Sequence, residues 1–120
     1  MHYMYVFSFD MLTPMPSVKS RPNSFKVSNS WIKVGITNDI DKRKNSYKNE
    51  YNCEQCNKTH FHVEKVWQSE AERSRLEELE QFLKYHNELH RHRGEYYSDI
   101  DKDKIIEILN NVSFLELISE

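Results

Sequence analysis

The stretch Trp31-Ile-Lys-Val-Gly-Ile-Thr-Asn-Asp-Ile-Asp-Lys-Arg-Lys-Asn-Ser-Tyr47 constrains this chain more than any other. Its first part, Ile32 to Ile36, is short and β-branched, which suits a pleated, half-buried strand. Gly35 stands near the end of that strand and is one of only two glycines in the chain. A glycine there serves a backbone that must bend or that something approaches closely. Thr37, Asn38 and Asp39 then offer side-chain oxygens to cap a helix. The helix that follows carries Ile40, Arg43 and Tyr47 at i, i+3 and i+7, hence on one face. A guanidinium and a phenol therefore share a helix face that begins beside a glycine-ended strand. That arrangement is suited to aiming a cation and a hydroxyl at one phosphate.

The remainder of the chain sets the frame for this unit. At 120 residues, with 38% apolar and 30% charged side chains, it reads as one soluble globular domain with a single modest core. No apolar run approaches the ~20 residues of a membrane helix. The opening Met-His-Tyr-Met-Tyr-Val-Phe lacks the basic n-region and small-residue cleavage site of a signal peptide, so the cytoplasm is the expected compartment. Net charge is −2, but it is unevenly spread: residues 1–66 hold ten Lys and Arg against six Asp and Glu, and residues 67–120 hold seven against thirteen. The basic half contains the strand–helix unit and is compatible with a phosphate-facing surface. An ordinary solvated half facing an acidic one explains the same asymmetry.

Residues 3–9 are aromatic and β-branched and predict a strand. All three prolines fall in residues 11–30, which reads as a long loop carrying Lys19, Arg21 and Lys26. Cys53 and Cys56 have zinc-knuckle spacing, and His60 and His62 would complete a tetrahedral set. The alternative is a polar strand face with an unrelated cysteine pair. A third strand runs to Trp67, and Ser69-Glu-Ala-Glu72 has the form of a capping box for a helix reaching His90. Leu76, Leu79, Phe82, Leu83 and His86 make its apolar stripe. Glu80 falls on the shoulder of that stripe, where a carboxylate can be held rigidly yet face a cleft and bind a hard cation such as Mg²⁺. His90-Arg-His-Arg93 is a basic tip at the helix end. Asp101 to Leu109 reads as a short amphipathic helix, and the apolar tail 112–118 either packs on the sheet or forms a homodimer contact.

The central stretch resembles the second half of the GIY-YIG nuclease signature. Lys33-Val-Gly35 stands where that family has Tyr-Ile-Gly, Arg43 follows Lys33 by ten residues, and Tyr47 follows Arg43 by four. The lysine is like that of a phage and fungal branch, and the Asn- and Lys-rich, Ala-poor composition suits an AT-rich genome such as a phage's. Tyr5 takes the place of the tyrosine in the first half-signature, whose Gly-Ile portion is absent. Glu80-Gln-Phe-Leu83 matches the Glu-x-x-Leu of the family's metal-binding helix, and Gly94-Glu-Tyr-Tyr97 is similar to its closing Gly-Glu-Trp-Phe.

What this resemblance implies is an α+β domain with a small three-stranded antiparallel sheet flanked by helices. Residues 3–97 would form the core and residues 98–120 a helical extension, with an inserted loop between the first two strands and the candidate zinc knuckle before the third. The implied activity is metal-dependent endonucleolytic cleavage of DNA. Arg43 would bind the scissile phosphate, and Glu80 would hold Mg²⁺ or Mn²⁺. Tyr5, Lys33 and Tyr47 would arrange and deprotonate water, with the Lys33 ammonium lowering the pKa of Tyr5. Lys42, Lys44, Arg91 and Arg93 are candidates for contacts to the nucleic-acid backbone. A weakly active or inactive module that binds DNA or a host protein is the competing reading.

Overall fold

The computed structural model describes residues 1–9, 31–50, 52–53, 58–59 and 61–119. The element order is β1 (His2–Phe9), β2 (Trp31–Thr37), α1 (Ile40–Glu50), β3 (Asn52–Cys53), β4 (Lys58–Thr59), β5 (Phe61–Ser69), α2 (Arg73–Lys84), β6 (Arg91–Arg93), β7 (Tyr96–Ser98), a 3₁₀ turn (Asp99–Asp101), α3 (Lys102–Asn110) and β8 (Glu116–Ser119). Among the described residues the class is α+β, as expected, but the main sheet has six strands rather than three, in the order β6-β7-β2-β1-β5-β8. The three expected strands form its centre. The additions have separate causes. Gly94 takes φ +54°, a left-handed conformation that glycine adopts at no steric cost, and so lets β6 and β7 close as a hairpin. At the opposite edge the apolar tail packs on the sheet by pairing β8 with β5.

The pairing β1–β2, from Tyr3 opposite Thr37 to Ser8 opposite Ile32, sends alternate side chains to opposite faces. One face joins Met4, Val6, Ile32, Val34, Ile36, Trp67 and Tyr97 to Leu76 and Leu83 of α2 and Ile105 and Leu109 of α3. Trp67 Nε1 also donates to Asn110 Oδ1 at 3.0 Å, tying the end of α3 to the sheet. The other face joins Tyr5, Phe7, Phe9, Val66 and Tyr96 to Tyr47 of α1. A bulge places Tyr5 opposite Val66 but Phe7 opposite Val63, so both valines can serve this second face.

Two local readings change. Ser69 ends β5 instead of capping a helix; its Oγ accepts from Ala71 N at 3.0 Å, and α2 starts at Arg73 behind an extended Glu72. The helix stops at Lys84 rather than reaching His90, so His86 of the expected stripe lies beyond its end, and Phe82 of that stripe is 55% exposed. The 11–30 loop, Cys56 and His60 lie outside the described residues. Cys53 pairs with Lys58 in the β3–β4 hairpin, and His62 is exposed on β5.

Candidate active site

The close approach expected at Gly35 is made by Tyr5. These residues pair across β1 and β2, and a Cβ on Gly35 would lie 2.3 Å from the Tyr5 hydroxyl oxygen. Any larger residue would meet a phenol that is itself buried, so this glycine makes room for an aromatic side chain. Tyr5 stacks on Phe7 with centroids 4.2 Å apart, and Phe7 meets the Tyr47 ring edge-on at 5.2 Å.

Helix α1 is aimed by its cap. Thr37 Oγ1 accepts from Asp39 N at 3.1 Å, and Asp39 Oδ1 accepts from Lys42 N at 3.0 Å. With the first turn fixed in this way, Tyr47 points inward and is buried, Arg43 is half-buried above it, and Lys42 stays exposed. Lys44 is half-buried.

Lys33 is buried, with only 6% of its surface exposed. Its ammonium lies 5.1 Å from the centroid of the Tyr47 ring and 5.4 Å from that of Tyr96, and 3.4 Å from Glu95 Oε2. Two aromatic faces and a carboxylate therefore replace the water that this cation has lost. Glu95 is seated beside it because Val34 N donates to the Glu95 carbonyl at 3.0 Å, extending the β2–β7 pairing.

Glu80 reaches the same place from α2, and its carboxyl group is in hydrogen-bonding contact with that of Glu95. Glu80 Oε2 is shut off from solvent and meets no donor among the described residues. Lys84 stands 3.9 Å from Oε1, too far for a hydrogen bond. Two carboxylates cannot donate to each other, so their contact requires a proton between them or a cation. Burial, followed by the Glu95 hydrogen bond and charge, pushes Glu80 up to about 7. In Glu95 burial acts upward too, but the Glu80 hydrogen bond and the Lys33 ammonium outweigh it and hold this carboxyl below its ordinary value. Tyr97 is raised by burial and then by the Glu80 charge.

Tyr5 departs from expectation. Lys33 and Arg43 do act to lower its pKa, but burial is larger and Tyr47 and Glu95 add to it, so the phenol is pushed up and stays protonated. The structure thus brings Tyr5, Lys33, Arg43 and Tyr47 together and links them through Glu95 to Glu80. Glu95 was missed because it lies on a turn rather than a helix face; the sequence Arg93-Gly-Glu-Tyr96 carries the hairpin signal that could have found it. Arg91 lies apart on β6, exposed, and donates to the Gly94 carbonyl at 3.2 Å, with Arg93 two residues along the same strand. No group of three or more His, Cys, Asp or Glu converges among the described residues, so the acidic centre is the Glu80–Glu95 pair. Nor is any described helix long and apolar enough to cross a membrane.

No curated protein and no solved structure matches this chain. A family model does: that of the T5orf172 domain, found in phage and in HNH- and GIY-YIG-like nuclease contexts, matches residues 2–113. The match begins in β1 and runs past the end of α3, taking in every residue of the site just described, and the chain belongs to the T5orf172 domain family.

Proposed function

We propose that this domain is a GIY-YIG-type endonuclease that hydrolyses phosphodiester bonds of DNA with Mg²⁺ or Mn²⁺. The observation that carries this reading is a buried ammonium held between a phenol ring and a carboxylate pair: Lys33 lies 5.1 Å from the centroid of the Tyr47 ring, on the helix that also bears Arg43, and 3.4 Å from Glu95, which is paired with the buried carboxylate of Glu80. Membership of a domain family found in nuclease contexts supports it.

In this reading Arg43 binds the scissile phosphate and stabilises the charge that develops on it. Glu80 and Glu95 would hold the cation. Their hard oxygen donors fit Mg²⁺, which accepts one or two carboxylates, and the buried Glu80 Oε2 without a donor fits a charge that would satisfy it. When bound, the cation polarises the phosphate and stabilises the leaving oxygen. Tyr5, protonated at neutral pH, donates a hydrogen bond and positions water rather than deprotonating it. Lys33 fixes Glu95 and faces Tyr47, and so holds both in place.

The raised Tyr5 pKa is also the specific observation that favours the second reading, a binding module without catalysis. One experiment separates the two. Supercoiled plasmid is incubated with the purified protein and Mg²⁺, Mn²⁺ or EDTA, alongside Glu80→Gln. Nicking that needs the metal and disappears in the variant supports the nuclease. Retardation of the plasmid on a gel without cleavage, unchanged in Glu80→Gln, supports the binding module.

A further inference from the structure

Beyond the phosphate-facing residues, the same sheet face continues outward as a row of rings. Tyr96 pairs with Lys33 across β2 and β7, and Trp31 lies two residues before Lys33, so all three project to one side. Trp31 meets Tyr96 at 5.7 Å, and His92 of the edge strand β6 lies flat on Trp31, 4.9 Å away and 18° from parallel. His92 is exposed and Trp31 half-buried. A parallel ring pair at an exposed edge is already stacked, so a third flat ring could add to it without ordering either side chain. The nearby charge is complementary to a nucleic-acid strand: His92 sits between Arg91 and Arg93, and Arg91 is exposed.

We propose that His92, laid on Trp31, is a stacking platform for an unpaired base, and that the substrate class is nucleic acid with a single-stranded segment beside the cleaved phosphate. This rests on reading the neighbouring site as a phosphodiester-binding one. The physical basis is that duplex bases are already stacked on one another and present only edges, whereas an unpaired base offers a π-face that aromatic side chains, histidine among them, can take up. The row from His92 through Trp31 to the buried Tyr96 and Lys33 then seats the platform on the sheet face that carries the proposed phosphate site.

The test measures binding by the full chain in EDTA, where the proposed metal-dependent cleavage cannot occur. The probes are a fluorescein-labelled single-stranded DNA 12-mer, the same sequence as duplex, and the corresponding RNA. His92→Ala is expected to weaken single-strand binding about 5- to 150-fold, the range for losing one base–aromatic stack, and to leave duplex binding within about twofold. His92→Phe, which keeps a flat ring without charge, should restore the single-strand affinity. The wild type should show quenching of Trp31 fluorescence on binding that is lost in His92→Ala; Trp67, buried on the opposite face, serves as a silent background. Equal losses for single strand and duplex, or a Phe variant as weak as the Ala variant, would overturn the proposal by making His92 a charge contact only. Absence of single-strand binding by the wild type would overturn it outright. DNA and RNA arms that agree assign the platform to bases in general, and arms that differ assign it to one of the two. The nuclease reading fails separately, in the plasmid assay: a protein that binds single strands through His92 yet cuts nothing keeps the platform and loses the catalysis.

Discussion

The same central strands build both faces of the sheet, yet the faces are made of different chemistry. Toward α2 and α3 the buried side chains are largely aliphatic, with Met4, Val6, Ile32, Val34 and Ile36 against Leu76, Leu83, Ile105 and Leu109. Toward α1 they are aromatic, and they surround a buried lysine. Aliphatic burial is non-directional and grows with area, so that face can only stabilise. The aromatic face gives up some of that freedom. Its rings offer negative faces to an ammonium and flat surfaces to one another, and its geometry is set by specific contacts rather than by volume alone. One face holds the sheet together, and the other holds charges where water would not leave them.

The largest effect expected from breaking this division is on the aliphatic side. Leu109→Ala removes a fully buried side chain of α3, a helix that bears neither carboxylate of the pair, and should cost about 2–5 kcal/mol of stability in denaturant titrations. Cleavage per folded molecule should not change. A loss of activity exceeding the loss of folded protein would mean that the two faces are coupled.

The complementary change is Arg43→Ala. Arg43 is half-buried and carries no part of the aliphatic core, so stability should move by no more than about 0.5 kcal/mol. Plasmid cleavage should fall about 10²- to 10³-fold, as when one donor to developing charge is removed elsewhere. A large drop in stability with a small drop in rate would make Arg43 a packing residue of the aromatic face.

What could be read from the sequence divides along the same lines. The β1 and β2 strands, the Asp39-capped helix, the shared face of Arg43 and Tyr47 and the shoulder position of Glu80 all follow from local periodicity, and each stands where that periodicity puts it. The failures are non-local or chemically degenerate. A serine followed by a glutamate three residues later looks like a capping box, but the same Ser69 hydroxyl can bond the Ala71 amide in a turn after a strand, and β5 had not yet ended. The pattern after Leu83 continues helically on paper, while the backbone leaves the helix at Tyr85. Glu95 is marked locally only by the Gly94 turn and the closing motif around it, neither of which gives it a role; the hairpin, the buried Lys33 and a helix from the opposite face bring it to Glu80. The effect of Lys33 on Tyr5 has the expected sign and is outweighed by burial, a quantity that periodicity does not supply.

The carboxylate pair gives the molecule a pH signature with a definite sign. Glu80 is pushed up to about 7 from an ordinary 4.5, so the folded protein binds more protons than the unfolded chain between those values. Its contribution is therefore fully present below about 4.5, and stability falls as pH rises through 7, with a slope of at most about 1.4 kcal/mol per unit from this group. Glu95, held low, contributes the opposite way: its share is present above 4.5 and is lost as pH falls through its folded value. Denaturation midpoints from pH 5 to 8 should decline in the wild type and flatten in Glu80→Gln. A wild-type profile already flat over that range would show that the two carboxyls do not share a proton.

The smallest effect tests whether the cap of α1 serves the fold or the site. Asp39 accepts from the Lys42 amide, and its own carbonyl accepts from the Arg43 amide at 3.1 Å, so it fixes the turn from which Arg43 projects. Asp39→Ala should cost about 1 kcal/mol, the usual price of an N-cap, because one helix-terminal amide loses its partner. If the cap also sets the aim of Arg43, cleavage per folded molecule should fall by more than that loss of stability accounts for, since a small misplacement of a phosphate-binding group is felt directly in the rate. Asp39→Asn, which can still accept the amide, should recover both quantities. Recovery of stability without recovery of rate would show that the carboxylate charge of Asp39 acts on the site in its own right, and that the boundary between the stabilising and the reactive face runs through the first turn of α1.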